Sequence, residues 1–412
     1  MVIHHMSKDP SSNIDEIFDR YLDADTVIFK QREVLSPHYV PDILPHRDDK
    51  FEEMAKILAP ALRGGAPSNI FIYGTTGTGK TAVTKHVLNK LEERAASRNL
   101  AFKYSYMNCQ HVDTKYRVLT QLCDDIGIDV PFTGLHFDVI YQKFKDALDN
   151  LDTLHVAVLD EVDMLYHKSS ESLYVLTRIN SDLKKSKISI IGITNDVNFK
   201  ETLDPRIRSS LSEEEMVFSP YTAEQLNDIL TQRSDVAFHK NVLEFGVINL
   251  CAAVGAQQHG DARRSLDLLR VAAELAERNG DEKVTEIHVR KAQQVIERNT
   301  VIEVLTSLPI QTKAVLQAIF IGEGKSDEIT TGDVYEIYSK ICKLVRLDIL
   351  TARRVGDLIN ELDMLGIVTA QVISKGRYGR SKRIHLTVPH KQVREVIEND
   401  FRLSKIFEMD EL

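Results

Sequence analysis

The chain has 412 residues, 43% of them hydrophobic and 27% charged, and carries a net charge of −9. That describes an ordinary globular chain of about two to four domains and excludes a polycation that coats nucleic acid through bulk charge; any such binding must use local patches. No apolar run approaches the ~18 residues that a membrane span requires.

Residues 1–30 are polar and acid-rich and are expected to form a loose arm. The opening stretch MVIHHMSKDPSSN lacks the apolar core of a secretory leader. The four cysteines, Cys109, Cys123, Cys251 and Cys342, are scattered without a CxxC pair, and the 14 histidines form no ligand-spaced cluster. A cytoplasmic location without a disulfide framework is expected. From Glu33 to Lys50, Pro37, Pro41 and Pro45 make an irregular segment, which a helix from Phe51 to Leu62 follows.

The strand expected at Asn69 to Tyr73 leads into Gly74-Thr75-Thr76-Gly77-Thr78-Gly79-Lys80-Thr81, and a helix is expected from Thr81 to Arg94. This octet fits the phosphate-binding pattern G-x-x-x-x-G-K-[ST] in its required strand–turn–helix context. Its glycines let backbone amides approach an anion, and the helix N-terminus adds partial positive charge. Lys80 is suited to the β- and γ-phosphates of ATP or ADP, and the Thr81 hydroxyl to Mg²⁺.

Further strands are expected at Phe102 to Met107, His155 to Leu159, Ile188 to Thr194 and Met216 to Phe218. Runs such as HVAVL and ISIIGIT are apolar on both faces, as a parallel sheet covered by helices requires. The expected fold of this region is a doubly wound α/β domain over residues 31–220. The C-terminal edge of such a sheet is where ligands bind. There Asp160 is suited to Mg²⁺ and Glu161 to deprotonating the attacking water. Asn195 ends the next strand and is a candidate for the γ-phosphate, or a helix cap. Arg206 and Arg208 in LDPRIRSSL are candidates for a cation supplied to a neighbouring subunit, or ordinary surface arginines. Asp204 and Glu213-Glu214-Glu215 read as solvated turns, and Tyr104 and Tyr106 as strand packing.

Residues 221–299 read as purely helical, punctuated by Gly260 and Gly280. Arg263 sits in the first turn of an amphipathic helix, where it opposes the helix dipole and is placed to reach the phosphates. Residues 300–412 read differently. The helix Thr351 to Leu365 carries Arg353 and Arg354 at its start and Val355, Leu358, Ile359, Leu362 and Leu365 on a core face. Two short strands then flank SKGRYGRSK. From Lys375 to Arg394 there are seven basic residues and no acidic one. A recognition helix followed by a basic, glycine-rich hairpin is the pattern of a winged helix, with Arg377, Tyr378, Arg380 and Lys382 on the wing. A solvated basic hairpin on a protein-docking domain is the alternative.

Together, PDILPHRDDKFEEMAKIL, PSNIFIYGTTGTGKT, VLDEVDML, GITND, LDPRIRSSL, GDARRSLDLLR, and ELDMLGIV followed by SKGRYGRSK resemble the archaeal replication-initiator family. These are AAA+ proteins related to the largest subunit of the origin recognition complex and to the cell-division-cycle helicase loader. The resemblance covers nearly the whole chain and implies an AAA+ base, a helical lid and a C-terminal winged helix. It implies Lys80 and Thr81 as Walker A residues, Asp160 and Glu161 as Walker B, Asn195 as sensor 1 and Arg263 as sensor 2. It assigns the arginine finger to Arg206, with Arg208 as the alternative. It further implies that Val130 to Asp138 belongs to a DNA-touching helical insertion, and that Pro45, His46 and Arg47 lie near the adenine. Thr75 stands where many members carry lysine.

The expected function is that of an ATP-dependent initiator that binds double-stranded origin DNA and helps to load the replicative helicase. A second initiator paralogue is a possible partner, and the location is the nucleoid-associated cytoplasm. The rival readings are a nucleotide-gated transcription regulator and an AAA+ protein-interaction module.

Overall fold

In the computed structural model, residues 28–406 are described, apart from positions 38, 40, 42, 43, 113, 132, 133, 212, 327 and 375–379. The chain divides into two compact units, residues 1–290 and 291–412.

The first unit opens with Ile28 and Phe29, both buried, and Phe29 forms a bridge to Phe238. The end of the expected loose arm is therefore anchored, while residues 1–27 lie outside the described residues. Helix α1 (Asp48–Leu58) leads to β1 (Ile70–Tyr73) and α2 (Lys80–Ala96). Next come β2 (Phe102–Asn108), α3 (Lys115–Asp125), α4 (Phe137–Leu151), β3 (Leu154–Asp160), α5 (Val162–Arg178) and β4 (Lys187–Thr194). The short helices α6 (Phe199–Thr202) and α7 (Pro205–Leu211) precede β5 (Glu214–Val217).

These strands form one parallel sheet in the order β2-β3-β4-β1-β5. Every residue of β3 is buried. Val156 and Val158 face one apolar core with Ile70 and Ile72, and Ala157 and Leu159 face the other with Phe71 and Ile190. The doubly apolar strands thus do what their composition suggested: helices cover both sheet faces. Glu214 and Glu215 belong to the edge strand β5 rather than to a solvated turn. Glu213 accepts the Asn69 amide at 2.9 Å, and Glu215 pairs with Lys200.

The lid contains α8 (Ala223–Ala237), α9 (Val247–Gln257) and α10 (Ala262–Asn279). A Thr222–Gln225 capping box starts α8, and Gly280 at φ 77° closes α10. The region is not wholly helical. Residues 238–246 run irregularly, and Leu243 forms a parallel bridge to Val284.

Helix α11 (Glu286–Ser307) contains the division between the units. The second unit continues with α12 (Ile310–Lys325), β6 (Ile329–Thr330), α13 (Thr331–Val345), α14 (Ala352–Met364), β7 (Val368–Ser374), β8 (Arg380–Leu386) and α15 (His390–Glu398). The sheet is antiparallel in the order β6-β8-β7; the two-residue β6 was not anticipated. Thr351 caps α14, and Val355, Leu358, Ile359 and Leu362 are buried as the helical spacing requires. Leu365 is not part of that core. It follows the last helical residue, stands before Gly366 at φ 69°, and is 55% exposed. Among the described residues no single helix is long and apolar enough to cross a membrane.

Candidate functional site

The parallel sheet brings the ends of β1, β3 and β4 to one edge, and the polar residues of the first unit converge there. The turn after β1 needs its glycines for space as well as for dihedral freedom. A Cβ on Gly74 would lie 2.3 Å from the Phe218 carbonyl oxygen, and one on Gly77 only 1.7 Å from Asp261 Oδ1. Gly77 therefore admits the lid: Thr76 Oγ1 donates to Asp261 Oδ2 at 3.0 Å, and the Ala262 amide donates to the Gly77 carbonyl at 3.3 Å.

Lys80 begins α2 and is 5% exposed. Its Nζ donates to the carbonyls of Gly74 and Thr75 at 2.7 Å each, and to Asn195 Oδ1 at 2.9 Å. Burial lowers its pKa to about 8, opposed chiefly by Asp160. Asn195 is thereby brought to the lysine and not to a helix cap. Thr81 Oγ1 and the Tyr106 hydroxyl both donate to Asp160 Oδ2 at 2.7 Å. Tyr106 is thus a site residue and not simple strand packing. Its strand position gave no signal, because only the pairing of Met107 with Leu159 and Asn108 with Asp160 sets it beside the carboxylate.

Glu161 follows β3 in the left-handed region, at φ 55°. A non-glycine residue there carries backbone strain, which concentrates at functional sites. Its Oε2 is buried without a hydrogen-bond partner among the described residues. Burial raises its pKa first, then the negative charges of Asp160 and Asp163, with His111 and Arg263 opposing. Asp261 caps α10 through the Arg263 and Arg264 amides, and Arg263 faces the cavity formed by Lys80, Thr81, Asp160, Glu161 and Asn195.

An adjoining cavity of about 270 Å³ shares Gly77, Gly79, Thr81 and Arg263, and is walled by Pro37, Pro41, Pro45, Leu44, Tyr221 and Ile229. Arg47 buttresses it from behind. Its Nε donates to the Thr78 carbonyl at 2.9 Å, its Nη2 to the Ser219 carbonyl at 2.7 Å, and its guanidinium lies 3.8 Å from the Tyr221 ring centroid. His46 does not line this cavity; its Nε2 meets Asp228 Oδ2 of α8 at 2.9 Å.

Arg206 lies apart from these residues. It is paired with Asp204 at 3.0 Å, its side chain is 66% exposed, and its guanidinium lies 5.3 Å from the Tyr174 ring centroid. Asp204 is accordingly an ion-pair partner rather than a plain solvated turn, and the Arg206 contact draws its pKa down to about 2.

In the second unit, Arg353 and Arg354 are exposed at the start of α14, and Arg354 lies 3.6 Å from Glu361. Lys382 of β8 donates to Asn360 of α14. Arg380 opens β8, whereas Arg377 and Tyr378 lie outside the described residues. In the segment Val130 to Asp138, Phe132 and Thr133 also lie outside them; Val130 is buried, and Lys115 Nζ sits 4.8 Å from the Phe137 ring centroid.

A parallel sheet with a phosphate-loop edge, a helical lid and an antiparallel winged unit define an AAA-type nucleotide-binding protein with a winged-helix domain. Family models agree with this class: an AAA domain matches residues 63–198, a Cdc6 AAA+ ATPase-type lid domain residues 227–294, and the CDC6 C-terminal winged helix domain residues 303–396. The ORC1-type DNA replication protein of Pyrococcus abyssi is 50% identical over 407 residues, covering 97% of each chain. ORC1-type DNA replication protein 1 of Archaeoglobus fulgidus is 52% identical over 390 residues, covering 95% of each. A solved structure of the Aeropyrum pernix ORC1 protein in complex with DNA superposes with a TM-score of 0.83 at 45% identity, over 93% of this chain and all of that one. The chain belongs to the ORC1/Cdc6-type family of archaeal DNA replication proteins.

Proposed function

We propose that this protein is an ATP-dependent replication initiator that binds duplex origin DNA and helps to load the replicative helicase, with ATP binding and slow hydrolysis as its switch. The observation that carries the nucleotide part is the convergence of Lys80, Thr81, Asp160, Glu161 and Asn195 on one sheet edge, closed by a lid that touches the phosphate loop through Asp261.

The residues fit a magnesium nucleotide. Lys80 is a buried cation on two neutral carbonyls and the Asn195 side-chain oxygen, and the buried Glu161 Oε2 has no hydrogen-bond partner among the described residues. Gly74, Thr75, Thr76, Gly77, Thr78 and Gly79 form the loop around the phosphates, and Lys80 offsets their charge. Thr81 and Asp160 would hold Mg²⁺, which would offset phosphate charge, with Tyr106 fixing the orientation of the carboxylate. Bound ATP supplies a phosphoryl group for transfer to water. Glu161 accepts the proton of that water, and its raised pKa brings it closer to the working range of a general base. Asn195 orients the water, and Arg263 reports the state of the site to the lid. Exposed Arg206 serves a neighbouring copy or a second initiator paralogue. Arg47 acts through Tyr221 and the loop carbonyls, and His46 through the lid.

The DNA part is supported by the Aeropyrum relative, solved on DNA, and by the basic stretch from Lys375 to Arg394. Arg353 and Arg354 at the start of α14, with Arg377, Tyr378, Arg380 and Lys382 of the wing, are the residues assigned to duplex DNA. Family membership alone supports the helicase partner and the nucleoid-associated cytoplasmic location. The working domain division is an arm over 1–30, a base over 31–220, a lid over 221–299 and a winged helix over 300–412.

Fluorescent-nucleotide titration of wild type and Lys80→Ala tests the nucleotide assignment. Wild type should bind in a Mg²⁺-dependent manner, and the variant should lose affinity or that dependence. Equal binding by both would rule out the phosphate-loop assignment.

A further inference from the structure

The cavity beside the phosphate loop, which Arg47 buttresses from behind, is lined by another buried arginine whose surroundings differ from those of Arg47. Arg233, on α8 of the lid, is 8% exposed and lines this cavity. An arginine carries five N–H donors and stays charged. Arg47 spends its donors on three carbonyls, at 2.9, 3.2 and 2.7 Å. Among the described residues Arg233 makes a single side-chain hydrogen bond, to the Val34 carbonyl at 3.5 Å, and no ion pair. Its guanidinium is held 4.7 Å from the ring centroid of Tyr39, which also lines the cavity. Burial depresses its pKa, with only Tyr39 opposing. Burying a cation with so few partners is costly unless a ligand supplies acceptors.

Resting on the nucleotide reading above, we propose that Arg233 is the base-reading residue of the site: it donates a hydrogen bond to a ring nitrogen of the bound purine and so sets the base preference. Much of the remaining wall is apolar. Pro37, Pro41, Pro45, Leu44, Ile229 and Leu266 offer shape without side-chain hydrogen bonds. Lys85 and Tyr106 lie against each other, 3.6 Å from nitrogen to ring centroid, and Tyr106 is tied to Asp160 on the phosphate side. Because Arg233 belongs to the lid, base recognition also draws the lid toward the nucleotide.

The test compares ATP with its 1-deaza, 3-deaza and 7-deaza analogues, each lacking one ring acceptor. A hydrogen bond from a charged donor contributes about 1.5 kcal/mol or more, so the full-length protein should bind one analogue about tenfold more weakly than ATP. Arg233→Met should weaken ATP by a similar factor and abolish that one penalty. Equal affinity of the unmodified protein for ATP and all three analogues would overturn the proposal, and this arm needs no variant to fold. So would a penalty that survives in Arg233→Met. If the unmodified protein binds no triphosphate, the nucleotide reading fails as well; if it binds ATP and Arg233→Met is indistinguishable from it, only the base-reading role fails.

Discussion

At the scale of single residues, Lys80 makes the nucleotide site sensitive to pH. Its pKa of about 8 lies below that of a free lysine because burial disfavours the charge. Triphosphate oxygens restore the preference for charge, so binding above pH 8 must take up a proton. Affinity should therefore be flat below pH 8 and fall, by up to about tenfold per unit, above it. Calorimetry at pH 8.5 in buffers of different ionisation enthalpy should show uptake of a fraction of a proton, absent in Lys80→Ala. No uptake and a flat affinity from pH 7 to 9.5 would contradict this. In the nucleotide-free protein the sign is fixed by the same pKa: between about 8 and 10.4 the unfolded chain holds the proton that the folded lysine has released, so native stability rises with pH across that window. Glu161→Gln keeps the side-chain volume and removes the base. ATP binding should persist while single-turnover hydrolysis drops roughly 10²-fold or more; wild-type turnover would move the role to another group. The residues legible in the sequence were those whose spacing is itself chemical: the loop from Gly74 to Thr81, and Asp160 with Glu161. Tyr106, Asp261 and Arg233 were not, because each reaches the site only through strand register or lid packing.

At the scale of elements, α14 and the β7–β8 hairpin carry the expected work on DNA. Lys382 is tied to Asn360, so the hairpin and the helix are linked by a side chain as well as by the core. Arg354 lies 3.6 Å from Glu361, whereas Arg353 forms no ion pair among the described residues and is the freer base-edge candidate. Each phosphate contact contributes a counterion-release term of about 0.9 per log unit of salt. Replacing Arg377 and Arg380 with Ala should flatten the salt slope by up to about 2 and weaken binding across sequences. Replacing Arg353 and Arg354 should cost sequence preference more than affinity. Salt titrations of both double variants on an origin duplex and a scrambled one check this; unchanged affinity, slope and preference would leave the protein-docking alternative in place. Strand and helix positions were legible here and in the base because apolar periodicity is strong. The two-residue β6, the irregular stretch 238–246 and the exposure of Leu365 were not. Each depends on a partner distant in sequence, or on a helix ending one residue early.

For the whole molecule, periodicity and motif order pointed to a doubly wound base followed by helices and a winged unit, and the parallel sheet order β2-β3-β4-β1-β5 and the antiparallel β6-β8-β7 bear out that fold class. What no local pattern supplies is the meeting of lid and loop, where Asp261 occupies the space that a side chain at position 77 would need. That contact gives a physical route from nucleotide to lid. Whether it governs an initiator is decided on DNA. The most direct measurement is a footprint of the purified full-length protein on candidate origin DNA and on promoter DNA from its own host, with ATP and with ADP. Protection should fall on origin repeats, exceed that on promoters and on scrambled duplex, and change in extent or affinity between the two nucleotides. Protection confined to promoters, or none on any duplex with either nucleotide, would contradict the assignment as a replication initiator.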